Sequence, residues 1–418
     1  MLKTHLLDTL SRREPTLWIN PRHDMLQETF PPEAVDQAAD RFDRAGALLS
    51  RTIEVLKGSD GLVESPLLDA EPLRAALDGK GRWLLKADHR MPLAGSVKAR
   101  GGFHEVLVYA ERVAHRLGWD GKDFGELAGD QWRSRFESHR LIVGSTGNLG
   151  ISIGLLSRAL GFKAQVHMSR DASEWKKQLL RDKGAEVVEH SGDYAKAVQA
   201  GRREAESDPA AHFVDDERSE LLFAGYAVAG RRLAEQLTDQ RIEVSRERPL
   251  VVYLPCGVGG APGGITYGLK QVFGDSVHCW FAEPVASPSV LAQLASGLET
   301  PVSVYDVGLD NQTLADGLAV AQASMLAATC MASRLAGVFT VADESLPDYL
   351  RLAWDKLGER LEPSAAAGFA GPRWLAETEA GRSWCKANEV NLDSATHVLW
   401  STGGGLVPAE VFDEWLQG

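Results

Sequence analysis

Short runs built around apolar residues alternate with amphipathic stretches along most of this chain. Leu141-Ile142-Val143-Gly144, Ala164 to Met168 and Glu186 to Glu189 read as strands. Ile151 to Leu160, Ser173 to Lys183 and Asp193 to Glu206 read as the helices that follow them. The same alternation frames both ends of the chain. Arg82 to Lys86 reads as a strand before a helix at Gly102 to Arg116, and Leu250 to Leu254 as a strand before a helix at Ile265 to Phe273. His278 to Ala282 and His397 to Trp400 read as two more strands. Leu250 to Leu254 is apolar throughout, as a strand buried on both faces would be, and short alternation of strand and helix is the pattern of a parallel sheet with helical crossovers. The expectation is an α/β protein. Leu222 to Leu237 reads as one helix with alanine and glycine on a close-packed side.

Three regions depart from this rhythm. Residues 1 to about 60 read as helices, broken at Trp18-Ile19-Asn20-Pro21 and resumed at Ala34 to Lys57 after Pro31-Pro32. Residues 118 to 139 are charged and irregular and read as an insertion. Leu318 to Phe339 is weakly charged and rich in alanine. Gln322, Ser324, Thr329, Ser333 and Arg334 interrupt it, so it reads as a buried helix and not as a membrane span.

Composition narrows the function. The length of 418 residues suits two or three lobes. A net charge of -13 argues against nucleic acid as a partner. Cys256, Cys279, Cys330 and Cys385 form no C-x-x-C pair, which leaves neither a zinc ribbon nor a redox pair and fits a reducing cytoplasm. Met1 to Arg13 has no apolar segment of the kind a signal peptide carries. No H-E-x-x-H spacing occurs among the histidines, so no metal site is expected.

Two stretches carry candidate chemistry. In Ala94-Gly95-Ser96-Val97-Lys98-Ala99-Arg100-Gly101-Gly102 a lysine lies among small residues. Such neighbours let a bulky group approach its amine, and partial desolvation suits a lysine to act as nucleophile or base. In Gly257-Val258-Gly259-Gly260-Ala261-Pro262-Gly263-Gly264 five glycines follow a strand and open a helix. Backbone N–H groups in such a loop converge on an anion, and a phosphate is the natural guest. A dinucleotide site is one reading, with Glu283 placed as the ribose-binding acid; however, Pro262 stands where the third glycine of G-x-G-x-x-G belongs. Pyridoxal phosphate uses a lysine, a phosphate cup and polar groups for its ring together.

These stretches, with Ser145-Thr146-Gly147-Asn148-Leu149-Gly150 and Ser401-Thr402-Gly403-Gly404-Gly405, resemble the fold-type II pyridoxal-phosphate enzymes. Within that group the chain is most similar to the bacterial D-serine dehydratase family. Leu17 to Pro21, Trp175-Lys176-Lys177, Asp215-Asp216-Glu217, Gly225 to Gly230, Phe281 to Pro284, Ala315 to Ala319 and Leu361 to Ala365 extend the likeness over almost the whole chain. The resemblance implies a fold like the tryptophan synthase β chain, with two parallel-sheet α/β lobes and the cofactor in the cleft. The expected divisions are 1–100 for the N-terminal helices and first part of the large domain, 101–207 for a small domain, and 208–418 for the rest of the large one.

The resemblance also assigns roles. Lys98 takes the Schiff-base position and Asn148 the ring hydroxyl of the cofactor. Ser145, Thr146 and Gly147 hold the substrate carboxylate, with Thr146 also among the catalytic residues. Gly257, Val258, Gly259, Gly260 and Ala261 form the phosphate cup, and Thr402 partners the pyridine nitrogen. Ala261 and Val97 depart from the family pattern, and neither removes a needed group. The implied reaction is α,β-elimination of D-serine, and of D-threonine, to a keto acid and ammonia. The implied protein is a cytoplasmic monomer with no nucleic-acid or membrane partner. Glu283 reads equally as a structural carboxylate and as a ligand for a monovalent cation. Asp216 is placed to protonate the leaving hydroxyl, with a helix cap as its alternative. The short tail after Gly405 carries no regulatory domain, against a feedback-regulated threonine dehydratase. An L-serine or L-threonine dehydratase, a serine racemase, a nucleotide-dependent oxidoreductase and a non-catalytic binding protein remain alternatives.

Overall fold

The structure is a computed structural model and describes residues 4–23, 25, 27–145, 147–170, 172–191 and 194–417. Its strands are β1 (Leu17–Ile19), β2 (Leu67–Asp69), β3 (Arg82–Ala87), β4 (Arg140–Gly144), β5 (Lys163–Ser169), β6 (Glu186–His190), β7 (Ala211–Val214), β8 (Leu250–Pro255), β9 (Val277–Pro284), β10 (Gly337–Val341) and β11 (Thr396–Ser401). They form a seven-stranded sheet in the order β1-β10-β9-β8-β11-β3-β2 and a four-stranded sheet in the order β6-β5-β4-β7. The smaller sheet is parallel throughout. The larger is parallel from β10 to β3 and carries β1 and β2 as antiparallel edges, so it is mixed where a parallel sheet was expected.

The chain divides into two compact units. One comprises Met1–Pro31, Ser65–Arg90 and Ala229–Gly418, the other Pro32–Glu64 and Met91–Val228. The second is wider than the expected 101–207. β7 pairs with β4, with Ile142 opposite Phe213, which carries 211–214 into this unit. Helix Glu220–Ala227 follows, packed on helix Lys98–Arg116 through glycines. A Cβ on Gly101 would fall 2.7 Å from the Leu222 carbonyl oxygen, and one on Gly225 would fall 2.8 Å from that of Arg100. Helix Pro32–Thr52 belongs here too, where the 1–100 division set it with the large domain. Its Arg41 Nε donates to Glu111 at 2.8 Å and its Arg44 guanidinium lies 5.0 Å from the centre of the Phe124 ring.

Four further expectations are corrected. Leu17 to Ile19 is a strand, because Asn20 turns the chain and ties it down: its side-chain N–H donates to Ala332 and Leu335 carbonyls at 3.1 and 2.7 Å. Within 118–139 a 3₁₀ turn, Phe124–Ala128, and a helix, Asp130–Phe136, bury Phe124, Trp132 and Phe136; the Phe136 ring stacks 4.4 Å from that of Phe162. In Leu318 to Phe339 only Met325–Met331 is α-helical, and the end is strand β10. Gly337 begins that strand because a Cβ there would lie 2.3 Å from the Trp18 carbonyl oxygen. Leu222 to Leu237 is two helices, Glu220–Ala227 and Ala229–Asp239. Among the described residues no helix is long and apolar enough to cross a membrane.

Candidate active site

Lys98 is the first residue of helix Lys98–Arg116, so the helix starts four residues earlier than its apolar pattern showed. The chain reaches it through a tight turn, with Leu93 and Gly95 at φ 65° and 57°. Its Nζ donates to Asp216 Oδ2 at 2.7 Å. Asp216 lies just past β7. Its second oxygen, Oδ1, is buried without a hydrogen-bond partner among the described residues. The ring of Tyr226 lies 5.9 Å from the amine. Asp216 does not cap the next helix: Ser219 does, its hydroxyl accepting from the Leu222 N–H at 3.1 Å. Asp215 shapes the turn, accepting from Arg202 at 2.6 Å and from the Glu217 N–H at 3.1 Å. Burial and the neighbouring Asp215 push the Glu217 carboxyl up.

The turn after β4 belongs to the same unit. Ser145 Oγ accepts from the N–H groups of Gly147 and Gly150, each at 3.0 Å, so its oxygen holds the turn closed. Asn148 is half-buried at the first position of helix Asn148–Leu160. Thr146 lies outside the described residues. Lys176, buried in helix Glu174–Asp182, backs the turn; a Cβ on Gly147 would meet its Cδ at 2.5 Å.

In the larger unit Gly257 to Ala261 link β8 to helix Gly260–Phe273, and all five are buried. Gly259 has φ 98°, a left-handed conformation that glycine adopts without strain. The carbonyls of Gly257 and Val258 are engaged by Ser289 Oγ at 3.2 Å and by the Ser324 N–H at 2.8 Å. Gly260 and Ala261 open the helix, where N–H groups have no acceptor inside the helix. Thr402 is half-buried directly after β11. Glu283, at the end of β9, accepts from the Val290 and Leu291 N–H groups at 2.8 and 2.9 Å; burial pushes its carboxyl up to about 8.

Residues 59–384 match the family model described as pyridoxal-phosphate dependent enzyme. The chain belongs to this family. A relative from Burkholderia pseudomallei (strain K96243) is 54% identical over 98% of this chain and 94% of its own length; one from Sinorhizobium medicae is 51% identical over 98% and 96%. Both carry the name "probable D-serine dehydratase". Among solved structures, Escherichia coli diaminopropionate ammonia lyase in complex with D-serine superposes with TM-score 0.72 at 18% identity, over 96% of this chain and 97% of its own. Maize serine racemase does so with TM-score 0.67 at 16% identity, over 93% and 99%. These likenesses show the fold.

The residues present fit the family's cofactor. The glycine loop offers a buried cradle, roofed where a Cβ on Gly259 would lie 3.2 Å from Val290 Cγ2 and Ala327 Cβ. Its helix brings two N–H groups and a positive end, which favours a phosphate. Ala261 keeps its N–H, so its departure from the pattern costs the cradle nothing. Lys98 has its amine beside a carboxylate that can take its proton. Sequence reasoning gave no role to His89 and Glu359, which lie buried behind Ser401. They are 270 positions apart, and no local spacing joins them.

Proposed function

We propose that this chain is a lyase that converts D-serine to pyruvate and ammonia, and acts likewise on D-threonine, with pyridoxal phosphate bound at Lys98. The observation that carries the reading is the contact of Lys98 with Asp216, in a chain 54% identical to a relative named probable D-serine dehydratase. When bound, the cofactor supplies an electron sink for the pair left on Cα as its proton departs. The chain's own residues do the rest. The Gly257–Ala261 loop holds the phosphate. Asn148 and Thr402 orient the ring, and Ser145, Thr146 and Gly147 bind the substrate carboxylate. Lys98 Nζ takes the Cα proton, and Asp216 delivers a proton to the departing β-hydroxyl. Loss of water and then addition of water at the Cα–N bond leave pyruvate and ammonia.

We read the protein as a monomer in the cytoplasm. Its four buried free cysteines support a reducing compartment, and the family resemblance supports the single chain. Both carboxylate oxygens of Glu283 accept backbone N–H groups, which favours a structural carboxylate over a ligand for a monovalent cation.

Pyruvate release from D- and L-serine tests the function. D-serine is expected to react with a kcat/KM at least tenfold higher. An equal or higher value on L-serine would assign the chain to the L-serine dehydratases instead.

A further inference from the structure

A buried polar chain lies behind the end of β11. Residues Asp88–Arg90 form a single 3₁₀ turn after β3. From it His89 sends Nε2–H to Glu359 Oε2 at 2.6 Å. Its Nδ1 lies 2.6 Å from the Ser401 hydroxyl, which also reaches the Lys86 carbonyl at 3.2 Å. His89, Glu359 and Ser401 are each no more than 3% exposed. Arg90 Nε donates to the same Glu359 oxygen at 2.9 Å, and its Nη2 reaches Oε1. No apolar side chain could replace this chain without stranding a buried polar partner.

Its position is what gives it a consequence. Ser401, opposite Ala87, is the last paired position of β11 with β3. Thr402 is the next residue. On its far side, Gly403 O accepts from the Glu362 N–H at 3.2 Å. Gly404, at φ 134°, lies so close that a Cβ would fall 2.7 Å from the Arg360 carbonyl oxygen and Leu361 Cα. One segment, 359–362, therefore holds the chain on both sides of Thr402, and on the Ser401 side it does so through His89.

We propose that His89 and Glu359 are positioning residues that set the Thr402 hydroxyl for its hydrogen bond to the cofactor's pyridine nitrogen. The inference rests on the role given to Thr402 above. A hydroxyl–nitrogen bond weakens steeply once distance or angle drifts. Thr402 lies just past the last β11–β3 pair, and the clamp restrains the chain on both sides of it.

The test compares pyridoxal phosphate with its 1-deaza analogue, in which a C–H replaces the ring nitrogen. Both are titrated into the apo-protein and their dissociation constants measured. Wild type is expected to bind the natural cofactor roughly 5–10-fold tighter than the analogue, the worth of one hydrogen bond. His89→Ala is expected to bring that ratio to about 2 or below, with the analogue's own affinity nearly unchanged. Glu359→Gln keeps the packing and is expected to move the ratio the same way, which covers a His89→Ala protein that does not fold. A merely structural role would weaken both compounds alike. Equal weakening, or a wild-type ratio in both variants, overturns the inference. Thr402→Val separates it from the reading beneath: its ratio is expected near 1. A wild-type ratio there would remove Thr402 from the nitrogen and this inference with it.

Discussion

Asp216 gives one oxygen to Lys98 and keeps the other buried without a partner among the described residues. A carboxyl so placed can relay a proton between the lysine side and a substrate group, whereas one spent on a helix cap could not. Hydroxide is a poor leaving group, and a positioned acid contributes roughly 10²–10⁴-fold. Asp216→Asn is therefore expected to slow D-serine turnover by about 10² or more and to leave β-chloro-D-alanine, whose chloride needs no proton, within a few-fold of wild type. Steady-state assays on the two substrates check this. Equal slowing would make Asp216 a residue that shapes the site and not the acid. Lys98 stands out in the sequence because small residues surround it, and Asp216 because it follows the apolar pair Phe213-Val214; that the two touch could not be read from positions 118 residues apart. Ser145 was legible as part of the turn. Its use of both Gly147 and Gly150 N–H groups was not, since a hydroxyl's partners depend on how the turn closes.

Glycine decides how closely the supporting elements approach. Helix Ala229–Asp239 crosses the cup helix Gly260–Phe273 where Gly230 lies on Gly268. A Cβ on Gly230 would be 2.3 Å from the Gly268 carbonyl carbon and 2.6 Å from Leu269 N. Those neighbours are backbone and cannot rotate away, so the cup helix itself has to move. Gly230→Ala should gain up to about 1 kcal/mol in helix propensity yet lose more to overpacking, at about 1–3 kcal/mol. The expected outcome is a lower urea midpoint with a several-fold weaker affinity for pyridoxal phosphate. An unchanged midpoint would mean that the crossing has slack. Elements of this kind were readable from sequence where apolar runs were long. β8 and β11 are buried along their whole length and declared themselves. β1 and β2 did not, because three-residue edge strands leave too short a pattern. β10 was masked by the alanine-rich stretch before it, and only its position beside β9 makes it a strand.

Across the whole molecule, buried titratable groups set opposing limbs of stability against pH. His104 donates Nδ1–H to the Leu221 carbonyl at 2.8 Å and accepts from Arg41 at 2.9 Å with Nε2, an arrangement that suits the neutral ring. His397 pairs with the Tyr253 hydroxyl at 2.9 Å. Burial pulls each of these histidines down to about 4 from an ordinary 6.5. The unfolded chain thus takes up protons that the folded one refuses. Their contribution is complete above pH 6.5 and is lost as pH falls toward 4, on the order of 3 kcal/mol apiece. Glu283 works in the other direction. Its folded value of about 8 lies above the ordinary 4.5, so its contribution is complete below 4.5 and is lost as pH rises to 8. Of these three groups, the two histidines outweigh the one carboxyl between 4.5 and 6.5, so their sum rises; between 6.5 and 8 the carboxyl is the one of the three that titrates, and the sum falls. Melting temperatures of the apo-protein measured from pH 4.5 to 8.5 are expected to peak near 6.5. Glu283→Gln should flatten the fall above the peak, and His104→Gln the rise below it. An alkaline fall that survives in Glu283→Gln would place its origin in another group and leave Glu283 ionised in the fold, held by the two helix N–H groups it accepts.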